Sequence, residues 1–232
     1  MDSSELPGDP AVTAEDAIRT RHSVRAFLPD PVPAAVIQRI LQTASYAPSG
    51  SNMQPWHVFV LRGARLAALG TEMKAGYLAG DKPAREYKYY PEAFPEPYQT
   101  RRRACGWSLY STLGITRNDK AEMTAQRALN YEFFGAPLGL VFTIDKRLEV
   151  GSWMDIGAFL QSVMVAARQH GLHTCAQAAI AEYPAVIRRH VPVEPEHTII
   201  CGMAVGYAQR QAIINGFRTE RAPLEEFATF LE

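Results

Sequence analysis

The sequence carries no surplus of charge, few cysteines and no long apolar run, and each shortage removes a class of protein. Its 24 basic residues balance 24 acidic ones, so no overall field draws the chain to nucleic acid or an anionic membrane, and any anion site must be local. Cys105, Cys175 and Cys201 are odd in number and widely spaced. Without a CxxC pair they suggest neither a disulfide framework nor a zinc site, and a reducing, cytoplasmic setting is expected. The stretch MDSSELPGDPAV is acidic where a signal peptide would be basic and then apolar, and no window approaches about 18 continuous apolar residues. No membrane partner is expected, and residues 1–12 are expected to be flexible.

The common signatures of catalysis and phosphate binding are also missing. No GxGxxG follows a strand and no GxxxxGK[ST] occurs, so neither the dinucleotide fingerprint nor a P-loop is available to phosphate. No Ser-His-Asp order or HExxH helix supports a hydrolase. Asp155 and Glu182 could be read as a paired acid and base, but nothing else in the sequence calls for one. His170 and His173 straddle a helix end without a carboxylate cluster, so no metal site is expected. Cys175 reads as a small buried residue.

What remains is ordinary globular composition, 47% hydrophobic and 21% charged, the mark of one substantial soluble domain. Thr13 with Asp16 signals a first helix ending near Arg21, and SVRAF reads as a short strand. Pro29, Pro31 and Pro33 delay the next helix, whose apolar stripe is Val36, Ile37, Ile40, Leu41 and Ala44. WHVFVLR reads as a buried strand, 64–79 as a helix, 80–99 as irregular, and 100–113 and 118–134 as helices. LGLVFTI is a strand, and a long helix is expected from Ser152, with Asp155 in the capping-box position, to Gly171 as its stop. LHTCAQAAI supplies a strand and loop, Pro184 opens a short helix, and HTIICGMAVGY is the last buried strand. Strands separated by helices imply an α/β or α+β layered fold.

Three stretches carry more than folding information. In RHSVRAF, an extended backbone points Arg21, Ser23 and Arg25 to one face. That is either a solvated surface with scattered cations or a phosphate site, since guanidinium forks match phosphate oxygens and stay charged. In APSGSNMQPWHV, a turn feeding a strand is one reading; the other is a polar shelf of Ser49, Ser51, Asn52 and Gln54 around Gly50, fit for one edge of a planar ligand. Between Tyr77 and Tyr110 lie eight aromatics in 34 residues. These are either core under a proline-rich excursion or a lid that selects flat substrates. The arginine run 101–103 reads as a solvated helix face, with the phosphates of a nicotinamide cofactor as the alternative.

RHSVRAF and APSGSNMQPWHV, in that order and followed by FFGAPLGLVFTI, WMDIGAFLQSVMVAARQHGL, QAAIAEYP and RAPLEEF, resemble the FMN-dependent nitroreductase family over nearly the whole chain except about 75–125. The resemblance implies a nitroreductase-like α+β sandwich with a central mixed sheet flanked by helices, one domain over 13–232 with a lid or insertion at about 75–125 and a C-terminal extension at about 209–232. It implies an intertwined homodimer with two flavins at the interface. In that pattern Arg21 holds the ribityl phosphate, Arg25 reaches the pyrimidine edge, Ser23 lies between them and His22 contributes its backbone. Pro48, Ser49, Gly50 and Asn52, with Gln54 beside them, come from the other subunit. Asn130 touches the ring, and the turn Gln177, Ala178, Ala179 presents amides to N5 and O4. Arg221 binds phosphate, with Arg218 standing in for a family lysine where this chain has Thr219. Tyr87, Tyr89, Tyr90, Phe94, Tyr98, Trp107 and Tyr110 are the candidate lid.

The implied activity is NAD(P)H-dependent reduction of small planar nitroaromatics, and of quinone-like compounds, by ping-pong exchange through FMN N5. Superfamily relatives that dehalogenate or degrade flavin, and a non-catalytic flavin-binding protein, are the alternatives. The physical chemistry is compatible: the phosphate carries about −1.5 to −2 charges. Each charge-assisted bond contributes about 1.5–3 kcal/mol toward the roughly 8 kcal/mol of micromolar binding.

Overall fold

A computed structural model describes residues 9–231. The expected flexibility of residues 1–8 lies outside that range. Residues 9–12 are held, contrary to expectation: Ala11 N–H donates to the Arg168 carbonyl at 2.9 Å, and the Arg168 guanidinium bonds both the side chain and the carbonyl of Asp9. Arg168 is 3% exposed, and a buried cation requires such partners.

Among the described residues seven α-helices and four strands follow in order: α1 (Ala14–Thr20), α2 (Ala34–Ala44), β1 (His57–Arg62), α3 (Gly63–Ala79), α4 (Tyr98–Thr112), α5 (Lys120–Ala128), β2 (Leu138–Asp145), α6 (Val150–Gln169), β3 (His173–Gln177), α7 (Pro184–His190) and β4 (His197–Gly206). Thr13 caps α1 by accepting from Asp16 N–H, and Pro33 immediately precedes α2, as their sequence signals require.

The sheet order is β1-β2-β4-β3, and every neighbouring pair is antiparallel. The expected mixed sheet is therefore antiparallel in its ladders. Among the described residues the one parallel pairing is an isolated bridge from Ser23 to Thr174, and Phe27 then bridges Ala208 in the antiparallel sense. Segment 21–28 passes from the start of β3 to the end of β4. Those strands run in opposite directions, so it cannot keep step with both, and SVRAF forms no continuous strand.

β2 and β4 are buried almost throughout, and their period-2 alternation divides the core into two layers. Leu138, Leu140, Phe142, Ile144, Met203 and Val205 face Ile37 and Ile40 of α2 and Ile156, Phe159 and Val163 of α6. On the other face Val141, Ile199 and Ala204 meet Leu66, Leu69 and Met73 of α3 and Ile187 of α7. A Cβ at Gly202 would lie 2.6 Å from Ile180 Cγ1, so only glycine lets the turn after β3 rest on the sheet.

Three further elements differ from their sequence reading. β1 is an edge strand with only Leu61 buried; its apolar run looked central because local sequence does not say on how many sides a strand is covered. α6 begins at Val150 behind Glu149, leaving Ser152 buried in its first turn, while the Asp155 carboxylate accepts from Gly50 N–H at 3.2 Å. The helix expected over 118–134 stops at Ala128 and tightens into a 3-10 turn, Leu129–Gly135. There Phe133 and Phe134 adopt φ of 52° and 54°, an unfavourable conformation held by burial of both rings. α6 is long and apolar enough to cross a membrane, yet Ile156, Phe159 and Val163 are buried within the α2–sheet layer.

Candidate functional site

Arg21, His22, Ser23 and Arg25 line one groove of about 500 Å³ together with Phe217, Arg218, Thr219 and Arg221. Residues from the two ends of the chain thus meet. The β3–β4 edge receives segment 21–28, and the tail folds back over it: Gln209 N–H donates to the Ala26 carbonyl at 3.0 Å. Asn215 is the clasp. Its Oδ1 accepts from Arg25 N–H at 2.8 Å and its Nδ2 donates to the carbonyls of Ala26 at 2.7 Å and Gln209 at 3.0 Å. Sequence reasoning missed Asn215; its only signal was an Asn-Gly pair of the kind that marks a turn.

The groove lining contains no carboxylate. Among the described residues Arg21, Arg25, Arg218 and Arg221 make no salt bridge, whereas Arg19 at the rim pairs with Glu15 at 3.2 Å. Burial, and then the charge of Arg221, hold the Arg21 pKa below its ordinary value. His22 is pushed down as well, chiefly by burial; its bond to the Thr20 carbonyl opposes this, and Arg218, Arg168 and Arg21 add to it. The guanidiniums meanwhile hold neutral oxygens: Arg25 donates to the Ser23 carbonyl, Arg218 to those of Asn215 and Phe217, and Arg221 to Thr219. Four cations gathered without a counter-charge form a site for an anion.

At the far end of β3, Gln177 and Ala178 line a second cavity of about 340 Å³ with Tyr87, Tyr89, Trp153 and Cys201. Gln177 Nε2 donates to the Asn130 carbonyl at 2.7 Å, which brings those two candidates together. Tyr87 stacks edge-on against Trp153 with centroids 4.8 Å apart and donates its hydroxyl to the Ile200 carbonyl. Burial raises the pKa of its phenol. Burial also pushes the Cys201 thiol up to about 12 and raises Cys175, so both are packing residues.

The candidate lid divides. Tyr87 and Tyr89 reach this cavity. Tyr90 and Phe94 instead lie against the Arg102 guanidinium, at 5.6 and 4.8 Å, while Trp107 packs on Arg117 and Tyr98 is 59% exposed. α4 buries no residue; Arg101 pairs with Glu226 of the tail.

The loop 48–54 is not brought to the groove. Pro48 lines a different, apolar groove of about 490 Å³ along α1, α2 and α6, and Gly50, Asn52 and Gln54 are exposed. The backbone of Ser51, Asn52 and Gln54 is left-handed, with φ of 48°, 56° and 50°. Gln54 N–H is held by Ser49 Oγ at 3.0 Å.

A buried ionic cluster lies beneath the Ala178 turn. Glu182, 6% exposed, accepts from Arg85 at 2.7 Å, from Arg127 at 3.3 Å and from the Tyr131 hydroxyl. With both arginines engaged and no reach to Asp155 among its bonds, Glu182 is an anchor, and the paired acid and base conceivable from sequence does not form.

The sequence model of the Nitroreductase family matches residues 18–207. The chain is 36% identical to a 4-nitrobenzoate reductase from Nocardioides sp. strain LMS-CY, over 96% of this chain and 92% of that protein. It is 37% identical to a chloronitrobenzene nitroreductase from Comamonas testosteroni, over 97% and 99%. The crystal structure of the FMN-dependent nitroreductase NfnB from Mycobacterium smegmatis in complex with NADPH superposes with a TM-score of 0.90 at 32% identity, covering 94% of this chain and 98% of that one.

Proposed function

Because the chain belongs to the nitroreductase family, we propose that it is an NAD(P)H-dependent enzyme that reduces nitroaromatic compounds through bound FMN. The observation that carries the reading is the groove that gathers Arg21, Arg25, Arg218 and Arg221 without a carboxylate at the start of β3, with the Tyr87–Trp153 cavity at that strand's other end. Ser23 bridges Thr174 at one end and Ala178 lines the cavity at the other; four residues of strand span about 13 Å, a length suited to a phosphate, a five-carbon ribityl chain and a ring.

The chemistry of the donors fits FMN. Arg21 and Arg221, which repel each other in the groove, take the phosphate, with Arg218 beside them. Arg25, next along the segment, takes the pyrimidine edge, and the Gln177–Ala179 turn presents backbone amides to N5 and O4. Bound FMN would supply the hydride chemistry, accepting a hydride from NAD(P)H, which would leave as NAD(P)+, and passing it to a nitro compound in the same slot, the ping-pong order. A nitro group gaining a hydride and a proton becomes a nitroso group and water; a second round yields the hydroxylamine. Tyr87, Tyr89 and Trp153 hold planar rings and keep water from them, and such positioning is much of what hydride transfer requires. Quinones are flat enough to use the same walls.

The active form is an intertwined homodimer with the domain spanning 13–232. Loop 48–54 serves the partner's flavin, which accounts for its distance from the groove of its own chain. The tail from 209 onward, with Phe227 and Phe230 at 71% and 77% exposed, supplies apolar surface that a second copy covers.

Anaerobic mixing of the FMN-loaded protein with NADPH or NADH tests the activity. Bleaching of the flavin absorbance, reversed by 4-nitrobenzoate, is expected; a band that neither nucleotide bleaches would refute it.

A further inference from the structure

Arg85 belongs to the proline-rich excursion before α4, the stretch that carries Tyr87 and Tyr89. Its side chain is 18% exposed and makes three contacts at once. Nη1 donates to the Ala178 carbonyl at 2.7 Å, Nη2 donates to Glu182 Oε1 at 2.7 Å, and the guanidinium lies 5.2 Å from the Tyr89 ring centroid. The neighbouring Ala84 N–H donates to the Glu182 carbonyl at 2.8 Å. The root of the excursion is therefore bonded to both ends of the turn Ala178–Glu182.

We infer that Arg85 is a positioning residue that couples the aromatic lid to the Ala178–Ala179 peptide and thereby raises the reduction potential of the flavin held against that turn. The inference rests on the reading above that FMN lies there. A carbonyl that accepts a charge-assisted bond is polarised, and polarisation passes across the peptide unit to its own N–H. For the Ala178 carbonyl that N–H is Ala179's, one of the amides proposed above to face N5 and O4, and we place it at O4. A stronger donor at O4 favours the reduced ring, which carries the greater negative charge. Tyr89 lies on the same guanidinium and lines the cavity, so a ring seated on Tyr89 presses on the group that tunes the amide.

Glu182 separates this role from plain scaffolding. Its carboxylate keeps Arg127 and Tyr131 when Arg85 is lost, and Arg127 makes no side-chain bond to the Ala178 carbonyl. Arg127→Met thus weakens the same ionic cluster and leaves the peptide alone.

The test measures the midpoint potential of bound FMN, by equilibration with a reference dye, in the wild-type protein and in Arg85→Met, Arg85→Lys and Arg127→Met. At a fixed poise Arg85→Met should hold about tenfold less reduced flavin, a fall of roughly 30 mV for a two-electron couple. Arg85→Lys should fall by less, and Arg127→Met should match wild type. In the flavin-free protein, amide exchange over 84–89 should quicken in Arg85→Met. An unchanged potential in Arg85→Met, or an equal fall in Arg127→Met, overturns the inference; should Arg85→Met not fold, Arg85→Lys carries the same comparison, with no fall overturning it. A wild-type chain that takes up no FMN overturns instead the reading of the previous section, and this one with it.

Discussion

Arg21 and Arg25 are four positions apart in one groove and are expected to fail differently. Arg21 is half-buried, and burial and Arg221 destabilise it as a cation, so a bound phosphate would relieve a repulsion already present. Losing one charge-assisted bond of about 1.5–3 kcal/mol should weaken FMN binding about tenfold to hundredfold in Arg21→Ala. Arg25 is held by Asn215 through its backbone and by Ser23 through its side chain. In the proposed site it lies beside the ring, where a cation would act on the charge gained during reduction. Arg25→Ala should keep most of its flavin and be reduced more slowly by NADPH. Flavin content after gel filtration and stopped-flow bleaching distinguish the two, and indistinguishable variants would refute the division of labour.

At the scale of elements, the C-terminal end of α6 and the start of β3 are joined by a polar contact that reaches the end of α1, where the groove segment begins. Arg168 donates to Asp9 at 3.2 Å, and Asp9 Oδ1 lies 3.0 Å from His173 Nε2. Arg168 Nε also reaches Thr20 Oγ1 at 3.4 Å, just before Arg21, and the His22 ring packs edge-on to His173 at 5.3 Å. Burial, then the Arg168 charge, push His173 down to about 4, although Asp9 favours its protonated form. Burial works against the Asp9 carboxylate, yet His173 and Arg168 keep its pKa below the ordinary value.

The sign of the pH dependence follows. His173 is neutral in the folded protein down to about pH 4, whereas unfolded histidine takes up its proton near 6.5. Between those values the unfolded chain binds more protons, so stability falls as pH drops from about 6.5 to about 4, by about 3 kcal/mol from this residue. His22 and His170, also lowered foremost by burial, add to the same slope. Urea unfolding from pH 7 to 4.5 should show the loss, and His173→Gln should flatten it; a pH-independent midpoint in the wild-type chain would contradict it.

For the whole molecule the question is where loop 48–54 acts. Tyr46, Val150 and Met154 are 87%, 74% and 70% exposed on the α2–α6 side, an apolar surface that a second copy would remove from water. A shared flavin site predicts a complementation. Arg21→Ala and Asn52→Ala homodimers should both bind FMN poorly, because each lacks one half of both sites. Mixed dimers of the two should regain one intact site, visible as half the wild-type flavin content at twice the 25.7 kDa chain mass. No recovery on mixing, or a monomeric wild-type protein, would sink the shared site.

The amino-acid sequence by itself determined most of the element list, because helix starts such as Thr13 and Pro33, the Gly171 stop and the apolar runs of β2 and β4 are local signals. It also carried the charge type of the candidate site: Arg21 and Arg25 stand on one face of an extended segment in a chain with neither a GxGxxG nor a P-loop, and the family resemblance added Arg221. Tertiary structure decided the rest. That β1 is an edge depends on what lies beside it. Asn215, Arg85 and Glu182 acquire their roles only when segments about 190 and about 100 residues apart meet, and no periodicity in the sequence encodes such a meeting. Polar side chains in irregular segments are set by the partners that burial brings to them, because a buried donor or acceptor left alone costs more than the chain can spare.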